Sequence, residues 1–506
     1  MIVTLLPIAI PLLLMIALLI IRPGSKWSRI TGVAGTWLLV VVAVIIFRQV
    51  QEHGILVLQP GNWPAPVGIS LVIDRFSAIM LLVSGIIGAS VATYALAQVD
   101  RERLHNRFYL FFIAVLLGVN GAFTTGDVFN LYVWFEVMLI ASFVLITLGS
   151  SKEQLKAAIK YVTMNLVGSL LFLAGIGILY GITGTLNMAD LSQLLQQGEA
   201  YPMINTSAML FFLAFGIKAA IFPLFFWLPA SYHKPPLSVT ALFAGLLTKV
   251  GVYSMIRFFT MFFISDSPFW QNLILIIAGF TMVVGVLTAA SQYEMRRILS
   301  FHIISQVGYM VLGLGLFTVA GVAGAIFYMV HNMFAKTATF LAAGVVHRIR
   351  GTYDLKALGG LYKKRPLQAV LFMLPAMALA GIPPLSGFVG KMYLILAGFE
   401  AEKYVITAIA ILVSLLTLFS MLKIWTEVFW KPSPGKTDVP GKPDIPEKNT
   451  TVPPAMTLSL ALLALLTLVL GVFGGTAIGW SVEASEQLMN PQFYIEQVIH
   501  GGGGNQ

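Results

Sequence analysis

The stretch AFGIKAAIFPLFFWLPASYHKPPLSVTALFAGLLTKVGVY, residues 214–253, contains two long apolar runs, each with one lysine near its middle, Lys218 and Lys249. A charge at the centre of a bilayer costs about 2.5 to 3.5 kcal/mol even on insertion scales, so such residues need a reason. The first run also carries Pro223 and Pro229. Proline removes a backbone donor and clashes with the preceding turn, so this helix is expected to break and free carbonyls near the bilayer interior.

The combination recurs further along. AGIPPLSGFVGK, residues 380–391, sets Pro383 and Pro384 ahead of Lys391, and FYMVHNMFAKTATF, residues 327–340, holds His331 and Lys336. LYVWFEVMLIA, residues 131–141, has Glu136 as its one charge, with Tyr132 a turn earlier on the same helix face. Paired interrupted helices in two halves of a transporter point to repeats with ion sites at the breaks. The order differs between the halves, because Lys218 precedes its proline and Lys391 follows its pair.

Of the 506 residues, 58% are hydrophobic and 10% charged, with a mean hydropathy of +0.88. Soluble domains carry about 25% charged residues, so the chain reads as an all-α integral membrane protein. About 20 apolar residues cross the hydrocarbon core. The runs then give fourteen spans: 2–21, 30–48, 71–97, 108–124, 128–149, 161–184, 204–228, 237–260, 271–290, 299–318, 320–346, 367–398, 404–424 and 455–480. Spans seven and twelve are the broken ones, and spans 4–8 and 9–13 form two candidate five-helix repeats. The expected organisation is N-terminal helices (1–107), a first repeat (108–260), a second repeat (271–424), a Pro- and charge-rich cytoplasmic linker (425–454), and a last helix with an outside tail (455–506). Residues 185–203 read as a short amphipathic helix on the outer surface.

Most of the 31 basic residues fall in alternate loops, including Arg101, Arg103, Arg107, Lys152, Lys156 and Lys160, and then Lys356, Lys363, Lys364 and Arg365. Basic loops stay inside, so both termini are expected outside. The net charge of +10 is accordingly a topology signal and not a nucleic-acid-binding face. The first segment has no basic start or small-residue cleavage pattern and reads as a retained helix. Absence of cysteine excludes disulfides, thiolate metal sites and cysteine-held iron–sulfur clusters. No dense intramembrane carboxylate cluster suggests a metal site, and no glycine fingerprint suggests a phosphate cradle or other cofactor.

Lys218 or Lys249 can neutralise Glu136, which leaves the other without an acid; desolvation then penalises its charged form, and such a lysine can relay protons. A structural ion pair is the alternative for Glu136. His331 titrates near neutral pH, but it lies about 140° around the helix from Lys336, so the two are successive stations at most. His302, Gln306 and Tyr309 form a polar stripe able to hold a water chain, although a histidine there is more often simply hydrogen-bonded within the bundle. Asp74 and Asp127 fall at helix ends, where an acid is cheap. Lys423 snorkels, and His233 with Lys234 reads as a solvated loop.

WFEVMLIAS (134–142), the 214–253 stretch, SQYEMRRILSFHIISQVGYM (291–310) and AGIPPLSGFVGK together resemble the antiporter-like family. That family comprises proton-pumping membrane subunits of respiratory complex I, related hydrogenase subunits and large subunits of Mrp-type cation/proton antiporters. LPASYHKPP followed by ALFAGLLTKVGVY is similar to the Mrp style. The resemblance implies fourteen helices with inverted five-helix repeats, and a transporter subunit without redox centres, moving protons and coupled to Na⁺. It implies other membrane subunits as partners and a bacterial cell membrane as the location. By the same resemblance Glu136 is the fifth-helix acid, Lys218 its seventh-helix partner, Lys249 the eighth-helix relay and Lys391 the twelfth-helix terminal base, with His331 and Lys336 at connecting positions. A proton-pumping subunit of complex I or of a membrane hydrogenase is the alternative.

Overall fold

A computed structural model describes residues 2–149, 151–197, 202–263, 267–432 and 451–499. It opens with α1 (Leu6–Ile20) and α2 (Lys26–His53), then a two-stranded antiparallel hairpin of β1 (Leu56–Leu58) and β2 (Leu71–Ile73), then α3 (Arg75–Gln98) and the short α4 (Arg101–His105). Next come α5 (Phe108–Thr124), α6 (Val128–Thr147), α7 (Lys152–Thr183), α8 (Met188–Gln196), α9 (Ile204–Ala219), α10 (Trp227–Tyr232), α11 (Leu237–Gly245) and α12 (Leu247–Met261). They are followed by α13 (Ser267–Ser291), α14 (Met295–Leu316), α15 (Val319–Arg350), α16 (Leu361–Lys364), α17 (Pro366–Ala380), α18 (Ser386–Glu400) and α19 (Tyr404–Trp425). The chain closes with α20 (Pro454–Val472), α21 (Gly474–Met489) and α22 (Gln492–Ile499).

Among the described residues, ten helical segments are long and apolar enough to cross a membrane, and α5, α9 and α17 are shorter apolar helices. Large apolar side chains such as Leu13, Ile20, Trp27, Ile140, Leu170 and Leu412 are exposed, while Lys249, His331, Asn332 and Lys336 are fully buried. This inversion of the water-soluble pattern is what a lipid-facing surface requires. The chain is a multi-pass membrane protein.

Each expected apolar span coincides with helix, with instructive differences at the ends. Residues 71–73 pair as β2, and α3 starts only after the Asp74 side chain accepts from Ser77 N at 2.8 Å. Helix α7 begins at Lys152, well before its apolar part, because Ser151 caps it. The eighth span is divided at Leu246 (φ −112°) into α11 and α12. The last bends at Phe473 between α20 and α21. The expected amphipathic segment forms α8, and Gln59 and Gln196 tie α22 beside it through Val498 O and Gln492. Most of the proline-rich linker, residues 433–450, and the end of the chain, residues 500–506, lie outside the described residues.

Two stretches of the chain carry matching local features. Helices α7 and α15 both have 32 residues, and each ends at a left-handed glycine, Gly184 (φ 71°) and Gly351 (φ 73°). Acids Asp127 and Glu294 cap α6 and α14, and isolated bridges join Asp127 to Asn187 and Glu294 to Asp354 at the same spacing. Helices α9 and α17 each run into a left-handed residue, Ala220 (φ 61°) and Gly381 (φ 89°), followed at equal distance by a cis bond, Phe222–Pro223 and Pro383–Pro384. Pro223 and the Pro383–Pro384 pair therefore mark the breaks, whereas Pro229 lies inside α10.

Candidate functional site

Each helix break leaves carbonyls with no intrahelical donor, and the aligned peptide dipoles put about half a negative charge there. Buried lysines gather at these ends. Lys218 occupies the last turn of α9. Lys249 Nζ donates to Ala244 O at 2.6 Å, at the C-terminal end of α11. Lys391, although it follows its break, reaches back to α17 and donates to Leu379 O at 2.9 Å and Ala380 O at 3.2 Å, with Ser414 Oγ at 3.0 Å. Its ammonium also lies 5.1 Å from the Tyr309 ring centroid. Lys423 caps the end of α13 through Ala290 O and Gln292 O.

Glu136 is half-buried on α6, in register with exposed Phe129, Val133 and Ile140. Its Oε1 has no hydrogen-bond partner among the described residues. The expected contact with a lysine is absent among them: no ion pair joins Glu136 to Lys218, whose Nζ instead donates to Asn165 Oδ1 at 3.4 Å. The acid remains its electrostatic neighbour. A cavity of about 10 Å³, lined by Phe135, Asn165, Ser169 and Lys218, lies beside that contact, about the room one water needs. Tyr132 packs edge-on against Phe172 and bonds neither Glu136 nor Lys218 among the described contacts.

In the second half, Lys336 Nζ and both side-chain polar atoms of Asn332 are buried without partners among the described residues. Lys249 and Lys391 are the electrostatic neighbours of Lys336. His331 Nδ1 lies 2.8 Å from Ser386 Oγ, at the start of α18. His302, Gln306 and Tyr309 do not share one partner. His302 Nε2 lies 2.8 Å from Ser420 Oγ on α19, Gln306 accepts from Tyr328 on α15, and Tyr309 donates to Ala410 O. They cross-link α14 to two neighbours, while His302 Nδ1 and Gln306 Nε2 remain unbonded among the described residues.

Sequence reasoning missed Asn165, Ser386 and Ser414, which touch the relay groups, and Ser420, which touches His302; it treated Asp74 as a helix-end charge and gave Arg257 no role. These two form an ion pair of 2.7 Å, with side chains only 2% and 3% exposed. Asn165 had a signal, since with Tyr161 it repeats in Asn332 and Tyr328 at the α7–α15 spacing. At the loop level, His233 Nδ1 lies 2.6 Å from Pro229 O and Lys234 pairs with Glu153. Among the described residues no three His, Asp or Glu side chains converge as metal ligands would.

A many-spanned membrane subunit with a row of buried lysines seated at helix breaks is the class that fold and site define. Residues 125–417 match the family described as NADH:quinone oxidoreductase/Mrp antiporter, transmembrane, and the chain belongs to it. It is 45% identical over 494 residues to the D-type subunit of the Na⁺/H⁺ antiporter of Alkalihalophilus pseudofirmus, covering 98% of each chain. A chain of the Mrp complex from Dietzia sp. superposes with a TM-score of 0.89 at 34% identity, covering 99% of this chain and 100% of that one. A chain of the membrane-bound sulfane sulfur reductase, an archaeal respiratory membrane complex, superposes with a TM-score of 0.90 at 28% identity, covering 98% and 99%.

Proposed function

We propose that the chain is the proton-translocating membrane subunit of a multisubunit Na⁺/H⁺ antiporter, working among other membrane subunits. The identity of 45% with the Alkalihalophilus antiporter chain, against 28% with a respiratory-complex chain, favours this over a redox-driven pump. The relay runs from Glu136 through Lys218, Lys249, Lys336 with His331, to Lys391. Helices α5–α12 and α13–α19 are its two repeats, of opposite orientation, and the basic loops put both termini outside.

The observation that carries the mechanism is that, among the described residues, Lys249 and Lys391 rest on carbonyl ends and not on carboxylates. A buried lysine paired with an acid is locked in its charged form, because losing the proton strands the partner. A carbonyl end offers only a partial charge, so the ammonium is stabilised and the neutral amine leaves nothing ionised behind. Protonation at one lysine then disfavours it at the next, and charge passes along the row. Glu136 is half-buried beside exposed residues of α6, and its buried Oε1 has no bond among the described residues, so the acid is free to pair with bases in this chain and, by a turn of its side chain, in an adjoining subunit.

Cation-dependent proton exchange in vesicles holding the assembled complex tests the reading. Glu136→Ala and Lys218→Ala are each expected to lower it at least tenfold with assembly intact; native rates in both would end the relay. Co-purification with flavin and iron–sulfur subunits would instead support the respiratory alternative.

A further inference from the structure

Lys249, Tyr253 and Arg257 follow one another at four-residue spacing on α12 and so share one face. The face leads from the Leu246 break to the end of the bundle bearing the hairpin, α8 and α22, opposite the basic loops. Arg257 grips Asp74 with both terminal nitrogens, Nη1 to Oδ2 at 2.7 Å and Nη2 to Oδ1 at 2.9 Å. Tyr253 OH lies 3.0 Å from Arg257 Nη2 and 2.9 Å from Ser77 Oγ, and it donates to Phe123 O at 3.2 Å. Tyr494 of α22 covers the pair, its ring centroid 5.9 Å from the guanidinium.

A buried ion pair is weak evidence of stability, because desolvation of both ions offsets their attraction. Two charges this deep beside a proton relay call for another role. The geometry points to the Asp74–Arg257 pair as the gated outlet of the proton path, with Tyr253 linking it to Lys249.

The proton leaves the Lys249 ammonium for the Tyr253 hydroxyl oxygen, while the Tyr253 hydroxyl hydrogen passes to Ser77 Oγ and the Ser77 hydroxyl hydrogen passes to the Asp74 carboxylate. Asp74 becomes neutral and loses its hold on Arg257. The carboxylic acid then gives its proton to water on that face, and the ion pair re-forms. Lys249 Nζ donates to Ala244 O, and no hydrogen bond joins it to Tyr253 among the described residues. The path is therefore closed at that step, as antiport requires, since a continuous path would dissipate the gradient. A swing of one lysine side chain towards the next turn connects it.

This rests on the relay reading above, and the experiment separates the two. In vesicles with the assembled complex, the neutral pair Asp74→Asn with Arg257→Met keeps the helix cap and removes both charges. If the pair merely locks α3 to α12, transport stays native, and the proposal is overturned. As an outlet, the variant assembles and proton exchange falls at least tenfold. Asp74→Glu with Arg257 intact is expected to retain transport. Should the neutral pair not assemble, Tyr253→Phe decides, because it keeps the ring and removes only the hydroxyl. A threefold or greater loss of rate with unchanged apparent KM for Na⁺ supports the outlet, and a native rate overturns it. Lys249→Ala is measured alongside. If it transports normally the relay itself is wrong; if it is inactive while the neutral pair is native, only the outlet is.

Discussion

Lys391 Nζ donates to Leu379 O across the Pro383–Pro384 break, so the lysine of α18 supplies the missing donor at the end of α17. In the first half the corresponding helix end carries its lysine within its own last turn, at Lys218. Both broken helices thus have a buried lysine at their end, but only Lys391 seats its ammonium on the freed carbonyls, whereas Lys218 Nζ donates to Asn165 Oδ1 of α7.

That arrangement makes Lys391 a group whose charge matters more than its bulk. Lys391→Met keeps much of the apolar stem but leaves Leu379 O without its donor, while Ser414 Oγ still donates to Ala380 O. Each of the three hydrogen bonds lost with the ammonium is worth about 1.5 to 3 kcal/mol, and the burial cost of the charge that is lost with them offsets much of that, so assembly is expected to survive. The expected outcome is a normal yield of complex with proton exchange down at least tenfold. Equal transport by Lys391→Met and the native protein would show that the break is filled for structural reasons alone.

The close approach of α18 to α17 depends on Gly387. A Cβ there would fall 1.7 Å from Ala378 O and 3.0 Å from His331 Cε1. Backbone cannot give way as a side-chain tip can, so Gly387→Ala must shift the start of α18, at a cost of about 1 to 3 kcal/mol or more. Thermal unfolding of the purified complex is expected to move several degrees lower. Gly177→Ala on α7 is the control, since nothing lies within 4 Å of its Cβ and alanine favours helix. It should leave the transition unchanged or raise it.

Asn165 gives a third test. It ties the relay to the frame of α7: its Nδ2 donates to Tyr161 O at 2.8 Å while its Oδ1 accepts from Lys218. Asn165→Leu fills the space and removes the acceptor. Proton exchange is expected to fall between threefold and thirtyfold, with the complex intact by size-exclusion chromatography. Asn165→Gln, which retains an acceptor on a longer arm, is expected to recover part of the rate. If both variants ran at the native rate, Lys218 would not be positioned through this contact.

Helices were legible in this chain because apolar length is a local property, as at Phe108–Thr124, where the expected and observed ends agree. Ends set by caps were not. Lys152, Lys156 and Lys160 end the apolar run of α7, yet the helix continues through them from its Ser151 cap. The lysines themselves stood out, since a charge in an apolar run is visible to anyone counting. Their partners did not, because a carbonyl belongs to every residue and only a break makes it available. Asp74 looked like an ordinary helix end and Arg257, 183 positions away, carried no signal of its own, so only the fold brings them together. Nor does LFAGLLTK contain the proline that would announce the break at Leu246.

The Leu246 break bears on how Lys249 reaches Lys336. Just before it, Gly245 lies against α15 so closely that a Cβ would fall 2.4 Å from Thr337 Oγ1. Thr337 cannot easily turn aside, since it is β-branched and its hydroxyl donates to Met333 O at 2.7 Å. Gly245→Ala therefore separates α11 from α15 and pulls the Lys249 end of the relay from Lys336, the next residue to Thr337. Proton exchange is expected to drop at least fivefold. Thr337→Ala alone removes the obstructing oxygen, and it should change the rate less than twofold. Combined, the two substitutions put a methyl where the hydroxyl was, so the double variant should recover most of the loss. Such non-additivity between touching residues is the signature of a shared contact. Additive losses in the double variant would mean that Gly245 is required for some other reason, and that the spacing of the two lysines is set elsewhere.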